Sequence, residues 1–148
     1  MRPSPSAARS STTAPEIAAR LRLSATRLAR RLRQESGADL SPSQLSALAV
    51  IFNHGPLTLG ALAEHERVAP PTVTKVVSKL ESDGLVIRTP DPSDRRVCRV
   101  EISATGRELL EEIRRRKTAW LTARITELDP ESQRRLADAL DVLDDLIS

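Results

Sequence analysis

The chain has 148 residues with a formal net charge of +3, 39% hydrophobic residues and only 1% aromatic ones. That length accommodates one domain, or a small functional domain with helices added for assembly, and the core must be aliphatic. A single cysteine excludes an intramolecular disulfide framework and fits a reducing compartment, and no segment approaches the ~20 apolar residues that span a bilayer, so a cytoplasmic location is expected.

Residues 1–14, rich in Ser, Pro, Arg and Ala without an apolar run, read as a disordered tail rather than a secretory signal. Within residues 15–36, Ile17, Leu21, Ala25, Leu28 and Leu32 recur at the spacing of one helical face, and Gly37 ends the run. Ser41-Pro42-Ser43-Gln44 reads as a capping box opening a second helix, with Leu45, Leu48, Ile51 and Phe52 as its apolar stripe. His54-Gly55-Pro56 stops that helix, and Thr58 can cap a short third one through Leu59, Leu62 and Ala63.

After a break at Arg67 to Ala69, Pro70 and Pro71 open a fourth helix, since proline is tolerated in a first turn. Val73, Val76, Val77 and Leu80 should face inward, and Gly84 is a natural stop. Leu85 to Thr89 and Val97 to Ile102 are short, β-branched and separated by a Pro/Asp/Ser turn, the signal of a hairpin. Ser103 caps a long helix bearing Leu109, Leu110, Ile113, Trp120, Leu121, Ile125 and Leu128. Asp129-Pro130 starts a last helix whose apolar face includes Leu136, Leu140, Leu143 and Ile147.

The expected fold class is therefore mostly α with a small β-hairpin wing. A winged helix-turn-helix unit spans residues 41–102, between an N-terminal dimerisation helix (15–36) and C-terminal dimerisation helices (103–148). A unit of ~60 residues buries its own core without three further amphipathic helices. Two-fold self-association through Ile17, Leu21, Leu28, Leu136, Leu140, Leu143 and Ile147 would cover them; packing back onto the same monomer is the alternative.

Charge is spread unevenly. The first 36 residues carry +6, residues 67 to 99 carry +3 and residues 127 to 148 carry −5, which suits a protein meeting a polyanion on one side. The fourth helix turns Pro71, Thr72, Thr74, Lys75, Ser78 and Lys79 outward. Threonines can contact base edges, thymine methyls or phosphates, and Lys75 can reach guanine acceptors or phosphate. The helix start is also expected to offer partial positive charge and free N–H groups to phosphate. An ordinary solvated face is the competing reading of this helix alone.

The hairpin tip shifts the balance. Arg95 and Arg96 are adjacent in the turn, and Asp94 can hold an arginine by a charge-assisted hydrogen bond. An arginine so held suits the negative potential of a narrow minor groove. A base-reading helix in the major groove and a cationic finger in the minor groove together point to double-stranded DNA.

Three stretches, Val68-Ala69-Pro70-Pro71-Thr72-Val73-Thr74-Lys75-Val76-Val77, Leu80-Glu81-Ser82-Asp83-Gly84-Leu85-Val86 and Asp91-Pro92-Ser93-Asp94-Arg95-Arg96, followed by Ile102-Ser103-Ala104-Thr105-Gly106, resemble the MarR family of bacterial regulators. The resemblance covers about residues 41 to 125. It implies a homodimeric DNA-binding regulator of transcription, most often a repressor, acting on a pseudo-palindromic operator. By position, Lys75 matches the family's base-reading residue, Arg96 its wing arginine and Asp94 the acid orienting that arginine. Ala69 departs from the pattern, where members often carry a Ser or Thr cap. Many members release DNA when a small phenolic or anionic molecule enters a cleft, near which Arg27, Arg30, Arg31, Phe52 and Trp120 would lie.

Other functions find less support in the residues. A winged-helix protein-interaction module without sequence-specific DNA binding is the main alternative, against which the basic wing argues. No glycine-rich phosphate loop and no recognisable nucleophile–base motif suggests an enzyme. No cofactor or metal is expected, because His54, His65 and Cys98 lack metal-ligand spacing and the histidines read as surface or capping groups. Cys98, on the strand side of Val100 and Ile102, is expected to pack as a small hydrophobe, with redox sensing the alternative. Trp120 should anchor the long helix, or else line a ligand cleft.

Overall fold

The computed structural model describes residues 12–148, so the expected tail lies outside the described residues as far as residue 11. Helix α1 (Ala14–Glu35) starts one residue before the expected boundary. Thr13 and Glu16 form a reciprocal capping box, in which the Thr13 amide donates to Glu16 Oε2 at 2.8 Å. Gly37, at φ +66°, takes the left-handed conformation that turns the chain out of the helix.

Helix α2 (Pro42–His54) opens on the expected Ser41/Gln44 box, and Thr58 caps α3 (Leu59–Glu66) by accepting from the Ala61 amide at 3.1 Å. Helix α4 (Pro70–Ser82) ends before Gly84, whose φ of +74° suits a residue without a Cβ. Strands β2 (Val86–Pro90) and β3 (Cys98–Ile102) form the hairpin, followed by α5 (Ala104–Thr126) and α6 (Pro130–Ile147). Between α2 and α3 lies a further strand, β1 (Leu57–Thr58), which pairs with the outer side of β3. The result is an antiparallel sheet of order β1-β3-β2, with Leu57 opposite Val100, Val86 opposite Ile102 and Pro90 opposite Cys98. Two residues are too few to produce an alternating signal, so β1 is visible only from its pairing.

The core lies under this sheet. Leu48 and Ile51 of α2, Leu62 of α3, Val73, Val77 and Leu80 of α4, Val86 and Val100 of the hairpin and Leu110 of α5 are all buried. Val76, expected inside with them, is half-buried. Helix α5 approaches the chain closely just before β2. A Cβ on Gly106 would sit 2.0 Å from the Leu85 carbonyl oxygen. Ser103 locks the same corner, donating to the Gly84 carbonyl at 2.6 Å and accepting from the Gly106 amide at 3.0 Å. The turn after α4 and the start of α5 are thus tied together beside the base of the hairpin.

The terminal helices are different. No residue of α1 or α6 is buried within the described chain, although both are amphipathic.

Candidate nucleic-acid interface

Helix α4 presents the six expected side chains on one exposed surface. Pro71, Thr74, Lys75 and Ser78 follow one another at helical spacing, with Thr72 and Lys79 beside them, and all six are exposed. The buried valines and Leu80 hold the opposite face against α2 and α3, which fixes the rotation of the helix about its axis.

The side chains on this surface differ in freedom. Lys75 makes no ion pair among the described residues. Lys79 is paired with Asp83 at 3.0 Å, an exposed contact that a stronger acceptor can displace at small cost. Thr74, itself exposed, donates its hydroxyl to the Pro70 carbonyl at 3.1 Å. The Ser78 hydroxyl accepts from Arg88 Nη2 at 2.9 Å, so it is tied to strand β2.

One expectation about this helix is corrected. Its start does not offer free amides to phosphate. Pro70 and Pro71 have no N–H, and the Thr72 amide donates to the Ala69 carbonyl at 3.0 Å in a tight first turn. The same fact explains how Ala69, which provides no capping hydrogen bond, is tolerated there. A cap has almost nothing to satisfy.

The wing is built from two acid–arginine pairs. At its base Asp91 is 7% exposed, and its carboxylate accepts from Arg99 Nε and from the Ser93 and Asp94 amides at 2.7 and 3.2 Å. These bonds hold its carboxyl below the ordinary 3.8, Arg99 contributing most and the Ser93 amide next. The turn so fixed places Asp94, whose two oxygens accept from Arg96 Nε and Nη2, each at 3.0 Å. Arg96 also donates its own amide to Asp94 at 3.1 Å. The bidentate geometry lowers the Asp94 pKa, chiefly through the Arg96 guanidinium, and aims that guanidinium outward with its side chain 89% exposed. Arg95 beside it is exposed and makes no ion pair among the described residues.

The structure therefore brings the expected residues into two groups, the α4 surface and the wing tip, on adjacent elements. Two contributors went unread in the sequence. Asp91 and Arg99 brace the wing base, and Arg88 links the hairpin to α4. Their partners lie seven to ten residues away across turns, beyond the reach of a periodic pattern.

Cys98 also departs from expectation, being exposed. It shares a strand side with the fully buried Val100, but it pairs with Pro90 at the end where the hairpin runs past the core. Alternation assigned the side correctly; the end of the core decided the burial. His54 and His65 stack with ring centroids 4.5 Å apart, both exposed. Trp120 is half-buried between Arg31 and Arg124, whose guanidinium carbons stand 5.5 and 5.6 Å from its ring centroid. Phe52 is flanked similarly by Arg107 and Arg114. The groove between α1, α2 and α5 is lined not by these aromatics but by Leu32, Leu45 and Ala49 with Arg33 and Lys117.

A three-stranded wing beside a helix-turn-helix defines the winged-helix class, and comparison with known proteins narrows it. The MarR family model matches residues 40–98. An HTH-type transcriptional regulator of Mycobacterium leprae is 41% identical over 132 residues, covering 88% of this chain and 92% of the relative. The structure of a MarR family protein from Bacillus stearothermophilus superposes with a TM-score of 0.76 at 26% identity, covering 90% of this chain and 94% of that one. A MepR mutant of Staphylococcus aureus, solved bound to an oligodeoxyribonucleotide, shares the fold at 18% identity with a TM-score of 0.70, covering 89% and 98%. The chain belongs to the MarR family of transcriptional regulators. Among the described residues, no helix is long and apolar enough to cross a membrane.

Proposed function

We propose that the protein is a homodimeric, sequence-specific repressor acting in the cytoplasm on a pseudo-palindromic operator. The carrying observation is the exposed α4 surface with a Lys75 that makes no ion pair among the described residues, set beside a hairpin whose Arg96 is aimed outward by Asp94. In this reading α4 enters the major groove, where Lys75, Thr72 and Thr74 meet base edges and phosphates, and Arg96 enters the adjacent minor groove with Arg95 near the backbone. The oligodeoxyribonucleotide bound by the MepR mutant supports it.

The dimer is supported by what the monomer leaves uncovered. Ile17, Leu21, Leu28, Leu136, Leu140 and Ile147 are all exposed and Leu143 is half-buried, and apolar side chains left open in such number support an association site. Two-fold pairing through α1 and α6 covers it and presents two α4 helices to half-sites about one DNA turn apart.

Release by an effector is supported by the groove between α1, α2 and α5, of about 340 Å³. Burial lowers the pKa of Lys117 there, with the nearby Arg33 charge adding to it, so an entering anion would restore a counter-charge to both.

Titration of a duplex selected from a random library, at several salt concentrations, tests the reading. Affinity should fall steeply with salt. Lys75→Ala should cost ~1–3 kcal/mol in a sequence-dependent way, and Arg96→Ala should weaken binding too. Binding indifferent to both substitutions, or without a salt slope, would defeat it.

A further inference from the structure

We propose that Arg88 is a positioning residue for DNA recognition, fixing the angle between the wing and α4; the proposal rests on the DNA-binding reading above. Arg88 sits on β2 opposite the fully buried Val100, and its side chain turns back over α4. Nη2 donates to Ser78 Oγ at 2.9 Å, and Nε lies 3.2 Å from Glu81 Oε2. Ser78 and Glu81 are three residues apart on one face of α4. Among the described residues, these are the only side-chain hydrogen bond and ion pair linking α4 to either hairpin strand.

The chemistry of the group explains why this contact acts as a brace. A guanidinium is a rigid planar fork, so gripping two partners at once sets an orientation as well as a distance. The side chain is only 26% exposed, and Nε is buried without a hydrogen-bond partner among the described residues, so Glu81 holds it as a counter-charge alone while Nη2 carries the hydrogen bond to Ser78. A half-buried cation held this way is costly to leave unpaired, so the brace resists loosening. Its two ends are the two elements that must engage neighbouring grooves together. A recognition site tolerates displacements of only about half an ångström in its supporting frame. Ser78 accordingly serves the brace, and Lys75 and the threonines are left to the DNA.

The test uses the full-length protein with the library-selected duplex and a scrambled duplex of equal composition. Arg88→Gln should weaken binding to the selected duplex about tenfold while leaving the scrambled duplex within about twofold. Arg88→Lys should recover little, since an ammonium cannot fork between Ser78 and Glu81. Glu81→Gln should also lower the ratio of selected to scrambled affinity. If Glu81 acted only as a charge repelling DNA, that substitution would raise both affinities together.

The decisive measurement is the Arg96→Ala penalty in the Arg88→Gln background. A wing no longer held in place makes Arg96 matter less, so the penalty should shrink at least threefold. An unchanged penalty would overturn the proposal, as would equal losses on both duplexes, which mark a direct phosphate contact. Thermal unfolding identifies a variant that fails to fold, in which case Glu81→Gln decides alone. Wild-type protein that does not discriminate the two duplexes would remove the DNA-binding reading and this proposal with it.

Discussion

Leu48 and Leu140 are both leucines on the apolar faces of amphipathic helices, yet Leu48 is 0% exposed and Leu140 51%. The first belongs to the winged-helix lobe, where α2, α3, α4, the sheet and the first half of α5 close on one another. The second belongs to the terminal helices, which carry clear apolar stripes yet bury no residue among those described, although α1 runs along α5. Amphipathicity specifies that a face will be covered; it does not say by which chain. One region is a finished core, and the other leaves uncovered the apolar faces that the proposed dimer would bury.

Substitutions at matched positions can break that contrast. Leu48→Ala should destabilise the fold by about 2–5 kcal/mol, the cost of an aliphatic cavity, independently of protein concentration in urea unfolding. A loss well under 1 kcal/mol would show that the lobe is not the closed core described. Leu140→Asp should leave the lobe folded but weaken self-association by ~3 kcal/mol, about a hundredfold, because two-fold pairing buries the charge twice. Sedimentation equilibrium measures this. Wild-type protein that sediments as a monomer at micromolar concentration would refute the interface.

The smallest expected effect concerns the tip of the wing, which lies beyond the apolar packing that holds Val86 and Val100. The Asp91 and Asp94 pKa values are depressed below 3.8 by their arginine partners, so their contribution is complete above that pH. It is lost as pH falls below 3.8 through the lower folded values, when protonation releases Arg99 and Arg96. The Val97 amide, which donates to the Asp94 carbonyl, should then lose hydrogen-exchange protection while the core amides keep theirs. Protection at Val97 that persists after both carboxylates have taken up their protons would mean that the turn stands without its acid–arginine pairs.

Much of this could be read from residues alone, because the signals involved are short-range. The Ser41/Gln44 box, the Thr58 and Ser103 caps and the glycines at 37 and 84 all act within four residues, and each appears where the sequence puts it. The Asp94–Arg96 pair was legible for the same reason. The Thr13/Glu16 box was equally local and simply went unread. The missing amides of Pro70 and Pro71 are local too, a property of the proline ring itself. Strand β1, by contrast, exists only through β3, more than forty residues away. The Arg88 brace joins two elements through a turn whose path no propensity describes.

The order of amino acids determined where each helix begins and stops, which of its sides is apolar and which carries lysine or arginine. Those properties depend on backbone hydrogen bonds and spacings of three or four residues. Tertiary structure decided which apolar sides became interior, why Cys98 lies beyond the core while Val100 lies within it, and how the wing is held against α4. Burial is a property of what stands on the other side of a surface, and that is settled only when distant parts of the chain close over one another.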